Sequence, residues 1–385
     1  MSYQDIQFSA EELSRYNRHL IIPEFGPEGQ QKLKASRVLV IGAGGLGSPL
    51  LMYLAAAGVG HIGIADFDLV EDSNLQRQVL FGAEDLGLSK VEAAKRRLES
   101  LNPYISISLH HEKLSAVNAL DIMKTYDVIA DGSDNFPTRY LANDACVLLG
   151  KTNVYGAVSR FEGQVAVFNY RDKQGNYGPN YRDLHPTPPP KGLIPDCAEG
   201  GVLGVLPGII GSLQALEVIK VITGIGEPLS GRIFIFDGLR FDSHTFNIRR
   251  RADNPLNGAD PTITQLIDYE QFCDAPSNLK PVREISPLEL KSWLANGEAF
   301  QLIDVRQPEE HTTFNIGGEL MPLAQIIENE NRISRDLKVV IHCKSGARSA
   351  KAIRDLEKQF GFNNLYNLSG GTDAWLELER SPVTG

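Results

Sequence analysis

The chain has 385 residues, more than one ordinary hydrophobic core organises, so two domains are expected. Charged residues make up 22% and apolar residues 42%, as in soluble globular proteins. A net charge of -10 argues against nucleic acid or an anionic membrane as partner, yet leaves room for a nucleotide held by backbone amides and a few local cations.

The opening segment, MSYQDIQFSAEELSRYNRHL, is polar, helical in pattern and without an apolar signal core. Val38–Ile41 is a continuous apolar run, the pattern of a buried parallel strand. A glycine turn follows, then a small-residue helix over 48–57 and a second strand over 62–65. Residues 89–101 have helical spacing, and YDVIADGSD (126–134) reads as a strand ending in acids. This alternation predicts an α/β fold with a Rossmann-like, doubly wound, mostly parallel sheet. Residues 171–199 are proline-rich and polar, too long for an ordinary connection, and read as a functional loop or lid. The apolar stretch 201–222 is interrupted by Pro207, Gln214, Glu217 and Lys220, which favours a buried helix over a membrane span. The first domain is placed at 1–250 and a linker at 251–281, with an apolar island at 263–272 that could dock on a domain surface. A smaller α/β domain fills 282–385, with strands at 300–305 and 339–343, a helix at 347–360 and a closing LSGGTDAW.

Gly42, Gly44, Gly45 and Gly47 form G-x-G-x-x-G between strand and helix, the setting this motif needs to bring backbone amides to a phosphate. Asp66 ends the next strand, where an acid meets ribose hydroxyls. The glycines alone would suit a nicotinamide cofactor equally well. Arg77 and Lys90, Arg15 and Arg18 upstream, and Asp134-Asn135 at a later strand end shift the reading to a triphosphate, with cations on its oxygens and an Asp on Mg²⁺. Taken singly, each cation reads equally well as half of a surface salt bridge.

The four cysteines, Cys146, Cys197, Cys273 and Cys343, are scattered and lack CxxC spacing, so a cytoplasmic protein with one or two working thiols is expected. Cys343 opens CKSGARS between a strand and a helix. Successive amides and the helix N-terminus favour an anionic sulfur there, and Lys344 and Arg348 add positive charge. Cys197 follows the proline-rich loop and precedes the apolar helix. Cys146 reads as a buried helix residue, and Cys273 has no assignable role.

The segments RYNR, GAGGLG, DFD, SNLQRQ, DGSDN and CAEGGV together resemble the adenylating domain of the MoeB/ThiF family, relatives of ubiquitin-activating enzymes, over roughly 10–250. IDVR (303–306), the Cys343 loop and GGTDAW (370–375) resemble rhodaneses, whose loop is one residue shorter than that of the related phosphatases. The whole chain resembles MoeZ-type adenylyltransferase/sulfurtransferases. The resemblance implies that ATP–Mg²⁺ is held by the glycine loop with Asp66, Asn74, Arg77, Lys90 and Asp134. Asp68, Ser73, Leu75, Gln76 and Asn135 of the same segments join that site. Arg18 would reach the triphosphate from a second subunit, which implies a homodimer. Cys197 matches the family's adenylation-domain cysteine, and Cys343 and Arg348 its rhodanese loop. The implied activity is adenylation of a small ubiquitin-like sulfur carrier ending in Gly-Gly, followed by sulfur transfer from a Cys343 persulfide to give a thiocarboxylate. The sulfur donor would be thiosulfate or a cysteine desulfurase, and molybdopterin, thiamin, cysteine and tRNA-thiolation pathways all use such carriers. The alternative is an activating enzyme that passes the carrier on through a Cys197 thioester, with a regulatory rhodanese domain. In one place the sequence departs from the family. Where two CxxC pairs would bind zinc, it reads Asn180-Tyr181-Arg182-Asp183 and Asn257-Gly258-Ala259-Asp260, and no zinc is expected.

Overall fold

A computed structural model describes residues 3–189, 201–274 and 282–380. The chain divides into two compact units, with the boundary after Cys273.

In the first unit, α1 (Ala10–Leu20) starts at Ser9, which forms a capping box with Glu12. The helix α2 (Gly26–Ala35) leads into β1 (Arg37–Ile41), the glycine turn and α3 (Gly47–Ala57). Next come β2 (His61–Ala65), α4 (Lys90–Leu101), β3 (Ser106–His110), α5 (Ala119–Met123), β4 (Val128–Asp131) and α6 (Phe136–Leu149). The strands β5 (Thr152–Ser159) and β6 (Glu162–Phe168) are followed by α7 (Tyr181–Leu184), α8 (Val205–Thr223), β7 (Arg232–Asp237), β8 (Asp242–Asn247) and α9 (Tyr269–Asp274). One sheet takes the order β3-β2-β1-β4-β5-β6-β7-β8. It is parallel as far as β5 and antiparallel beyond, so the expected mostly parallel sheet is present with an antiparallel extension.

The apolar stretch forms α8, long and apolar enough to cross a membrane by composition alone. It is instead packed on the sheet. Gln214 is buried and donates to the carbonyls of Asp131 (2.8 Å) and Val154 (3.3 Å), while buried Glu217 accepts from the Leu229 amide. Polar groups bonded this specifically belong to a protein core.

Residues expected to form the linker are fixed to the first unit through Cys273. Asn254, Leu256 and Tyr269 are buried. The Tyr269 hydroxyl donates to Asp144 (2.8 Å), whose carboxylate is clasped by Arg182 through Nε (2.8 Å) and Nη2 (2.7 Å). The Arg182 guanidinium lies 4.9 Å from the Tyr140 ring and 4.8 Å from that of Phe272. The apolar island thus docks by covering a buried ion pair, and the linker placed at 251–281 shrinks to the stretch after residue 274.

The second unit contains β9 (Glu284–Ile285), α10 (Pro287–Asn296), β10 (Phe300–Asp304), α11 (Pro308–Thr313), β11 (Glu319–Leu320), β12 (Lys338–His342), α12 (Ala347–Phe360), β13 (Leu365–Leu368) and α13 (Gly371–Arg380). Its parallel sheet runs β11-β10-β12-β13-β9. A buried polar knot ties its centre. Asp304 takes a forked bond from Arg306 and another from His311 Nδ1 (2.8 Å). Burial pushes the Asp304 carboxyl up, but these partners outweigh it and hold it at about 2. His342 lies 3.8 Å from Asp304, and burial drives its imidazole down to about 4 despite that neighbour.

Two stability predictions arise here. Arg182→Ala leaves Asp144 buried and unpaired and should destabilise the first unit by about 3–5 kcal/mol in urea unfolding. Between about pH 6.5 and pH 4, unfolded His342 binds a proton that folded His342 refuses, so the second unit loses stability as pH falls through that window. The loss should reach about 3 kcal/mol, and His342→Phe should flatten it. Tryptophan fluorescence reads this directly, because the sequence has two tryptophans, Trp293 and Trp375, both in the second unit.

Candidate functional site

Two loops of related design, one in each unit, hold the glycine motif and Cys343.

The first follows β1. Gly42 adopts φ +87° against Gly132, and a Cβ on Gly47 would collide with the Gly42 carbonyl. Glycine is therefore required for the turn to close tightly on itself. Asp66, at the end of β2, accepts from the Ala43 amide (2.8 Å) and the Asp68 amide (2.9 Å), pinning the glycine loop to the neighbouring strand end. Burial raises the Asp66 carboxyl despite these bonds. The resulting cavity is lined by Gly42, Gly44, Gly45, Asp66, Asp68, Arg77, Lys90, Asp134 and Asn135. Lys90 is almost fully buried and its ammonium meets Asp68 at 2.8 Å. Arg77 donates to the Ser73 carbonyl (3.0 Å). Asn135 caps α6 through the Thr138 amide (2.9 Å), so its side chain already has structural work.

Other expected site residues do not line this cavity. Gly47 lies in the first turn of α3. Asn74 is buried and bonds the Glu71 amide through its side-chain oxygen (3.4 Å), with Ser73 and Leu75 beside it in the same turn. Gln76 abuts Gly204, ahead of α8. Arg18 is exposed on α1 and contributes nothing to the cavity of its own chain. Conversely, Gln78, Glu112, Lys113, Leu114, Ser133 and Arg139 do line it and were not anticipated. Gln78 is the last residue of the SNLQRQ segment, so its motif was visible although the residue was not singled out. The 112–114 segment carries no motif and is brought in only by the sheet order.

The second loop follows β12. The Cys343 sulfur is buried and accepts from the Gly346 amide (3.2 Å) and the Ser349 hydroxyl (3.4 Å). The Cys343 and Lys344 carbonyls are turned away and bonded by the amides of Thr372 (2.9 Å) and Asp373 (3.0 Å) in α13. A side chain at Gly371 would collide with both carbonyls. With its carbonyls tied back, the loop presents N–H groups and the α12 N-terminus to the sulfur, which suits an anion. Arg348 forms a forked pair with Glu310 of α11, with both bonds at 2.7 Å. Cys197 lies outside the described residues. Cys146 is buried and its thiol is pushed well up by burial, which makes it inert.

The positions Asn180, Asp183 and Asn257 converge, but on each other. Asn180 Nδ2 donates to Asn257 Oδ1 (3.1 Å), Asn254 donates to Asp183 (2.8 Å), and Asp183 accepts from the Asn180 and Arg251 amides. Asp260 is exposed.

Comparison with known proteins agrees with this geometry. Residues 16–257 match the model of the ThiF family and residues 286–378 that of the rhodanese-like domain. The chain is 49% identical over 374 residues to a probable adenylyltransferase/sulfurtransferase MoeZ of Mycobacterium tuberculosis, covering 95% of this chain and 93% of that one. It is 51% identical to a sulfur carrier protein adenylyltransferase of Thermus thermophilus over 70% of this chain and 99% of that one. It is also 42% identical to an adenylyltransferase and sulfurtransferase of Drosophila grimshawi, covering 97% and 86% of the two. Among solved structures, E. coli MccB with AMPCPP and MccA shares the fold, with a TM-score of 0.55 and 23% identity over 66% of this chain and 75% of that one. The chain belongs to the ThiF family, with a rhodanese-like domain joined to its C-terminal side.

Proposed function

We propose that this enzyme adenylates the C-terminal Gly-Gly carboxylate of a small sulfur-carrier protein and then replaces AMP with sulfur carried on Cys343. The observation that carries the reading is the pairing, in one chain, of two anion-holding loops: one flanked by Lys90 and Arg77, the other built around a thiol. The names of the relatives point the same way.

In the first step the carrier carboxylate attacks the α-phosphorus of ATP and pyrophosphate leaves. No protein nucleophile is needed, and positioning and charge neutralisation supply the catalysis. Amides of the glycine loop cradle the phosphates, Asp66 meets the ribose, and Lys90, released from Asp68, neutralises phosphate oxygens together with Arg77. Magnesium fits at Asp134, whose exposed carboxylate lines the cavity with only a long contact from Asn135 (3.4 Å). One or two carboxylates plus phosphates are its ordinary environment, and it would offset phosphate charge there. Zinc does not fit, because the Asn and Asp groups at the matching positions already satisfy one another, and amide oxygens are poor zinc ligands.

In the second step the terminal sulfur of a Cys343 persulfide attacks the acyl carbon and AMP leaves. Cys197 then attacks the Cys343 sulfur, forming a disulfide and releasing the thiocarboxylate, and an external thiol resets the pair. The proposed setting is the cytoplasm, where thiols stay reduced. A homodimer is proposed on two observations. Arg18 is exposed away from its own cavity, and Tyr53 and Leu216 are exposed along an apolar groove between α3 and α8 that Ile219 also lines.

ATP–pyrophosphate exchange should require a carrier ending in Gly-Gly, and Asp134→Ala should abolish it. Exchange without any carrier contradicts the reading. Cys343→Ala should keep exchange and lose thiocarboxylate formation by intact-protein mass. Cys197→Ala should accumulate the acyl-persulfide, whereas a carrier thioester on Cys197 would point to the activating-enzyme alternative. Tyr53→Glu with Leu216→Glu should yield monomers in sedimentation and lose exchange, and elemental analysis should find well under one zinc per chain.

A further inference from the structure

One lysine on the wall of the nucleotide cavity is held from outside it. Lys113 comes three residues after His110, whose carbonyl accepts from the Asp66 amide (3.3 Å), and Lys113 and Asp66 line the same cavity. The Lys113 ammonium is turned to Glu270 of α9, at 2.6 Å. Both partners stand on fixed backbone. Asn118 ties the turn that carries Lys113, donating to its carbonyl (3.1 Å) and accepting from the Ser115 amide (2.8 Å). Asp268 accepts from the Gln271 amide (3.0 Å) at the start of α9, and Tyr269, next to Glu270, is buried and bonded to Asp144. The Lys113 and Glu270 side chains are 58% and 60% exposed. A pair this exposed adds little to stability, but it still decides which way the lysine points.

That direction bears on Asp66. One Asp66 oxygen accepts from the Ala43 amide and the other from the Asp68 amide, and each keeps acceptor capacity for a ribose hydroxyl. A hydroxyl is a neutral donor. An ammonium is charged and makes the stronger bond to a carboxylate, so an unrestrained Lys113 would compete with the ribose for Asp66. Lys90 differs, because phosphate oxygens await it once it leaves Asp68. We propose that Glu270 is a positioning residue for nucleotide binding: by holding Lys113 to the cavity wall it leaves Asp66 open to the ribose. This inference rests on the reading that the cavity binds ATP with Asp66 at the ribose hydroxyls. Glu270 does not touch the nucleotide and acts through Lys113. The docked segment before the linker thereby serves the first reaction, since its docking is what brings Glu270 to the cavity.

The test compares ATP with 2′-deoxyATP on the full-length protein, with binding measured by calorimetry. The wild type should prefer ATP about tenfold, the worth of one hydrogen bond to a carboxylate. In Glu270→Gln that preference should fall about threefold, chiefly through weaker ATP binding, as Lys113 swings to Asp66. Adding Lys113→Met to Glu270→Gln should restore the preference, because the competing ammonium is gone. A merely structural role for Glu270 would weaken both nucleotides together and would not be reversed at Lys113. A preference unmoved by Glu270→Gln, or lowered and not restored by Lys113→Met, therefore overturns the proposal. If circular dichroism shows that Glu270→Gln does not fold, Lys113→Met alone decides. Its preference for ATP should equal or exceed that of the wild type, and a fall would show that Lys113 itself serves the ribose and overturn the proposal. A wild-type protein that binds neither nucleotide, or binds both equally, instead removes the reading of the cavity on which the inference rests.

Discussion

The position of β1 between β2 and β4 is the constraint on which the first site depends. In parallel register Ile41 pairs with both Ala65 and Asp131, so three strands end level with one another. The glycine turn, Asp66 and the Gly132–Asp134 turn therefore emerge along one edge, the crevice beyond the carboxyl ends of parallel strands where ligands bind. A slip of one residue would carry the three turns out of line with one another. The bond from Asp66 to the Ala43 amide exists only because that register holds. Lys90 comes from further along the chain, but it too is referred to this edge, through Asp68 just beyond β2.

The second unit repeats the arrangement around a sulfur atom. Again a parallel central strand, β12, ends in a loop that opens a helix, and there the Gly346 amide faces the Cys343 sulfur. The difference lies in how the loop is held. Glycines let the first loop fold back on itself, whereas the second is stretched between its own helix and the amides of Thr372 and Asp373. A loop held from both sides keeps its donors aimed at a single sulfur atom, and a buried sulfur gains most from such fixed dipoles because water is not there to replace them.

How much of this could be read from the sequence follows from distance along the chain. The glycine turn, Asp66 and the Cys343 loop each declare themselves within a few residues, because the backbone geometry they need is local. Arg348 was visible as a cation, but its pairing with Glu310 was not, since the partner comes from a different helix nearly forty residues upstream. The partner on which 254–273 docks was hidden for a similar reason. Tyr269 lies in the apolar island 263–272, whose docking the sequence allowed, but only Asp144, more than a hundred residues upstream, shows where it docks. The strand β8 escaped notice because it is exposed along its whole length and lacks any alternation of apolar and polar burial. The residues lining the nucleotide cavity from 112–114 were missed because strand order, not any motif, brings them there.

The bonds from Thr372 and Asp373 also impose an order in time. A ribosome delivers the chain from its N-terminal side, so β1, the glycine turn and Asp66 emerge together and can fold as soon as β4 joins them. The Cys343 loop has no such independence. Its carbonyls remain unbonded, and its amides unaimed, until the residues of α13 have been synthesised and have closed over it. During translation the first glycine loop can therefore form well before Cys343 is held in its cradle.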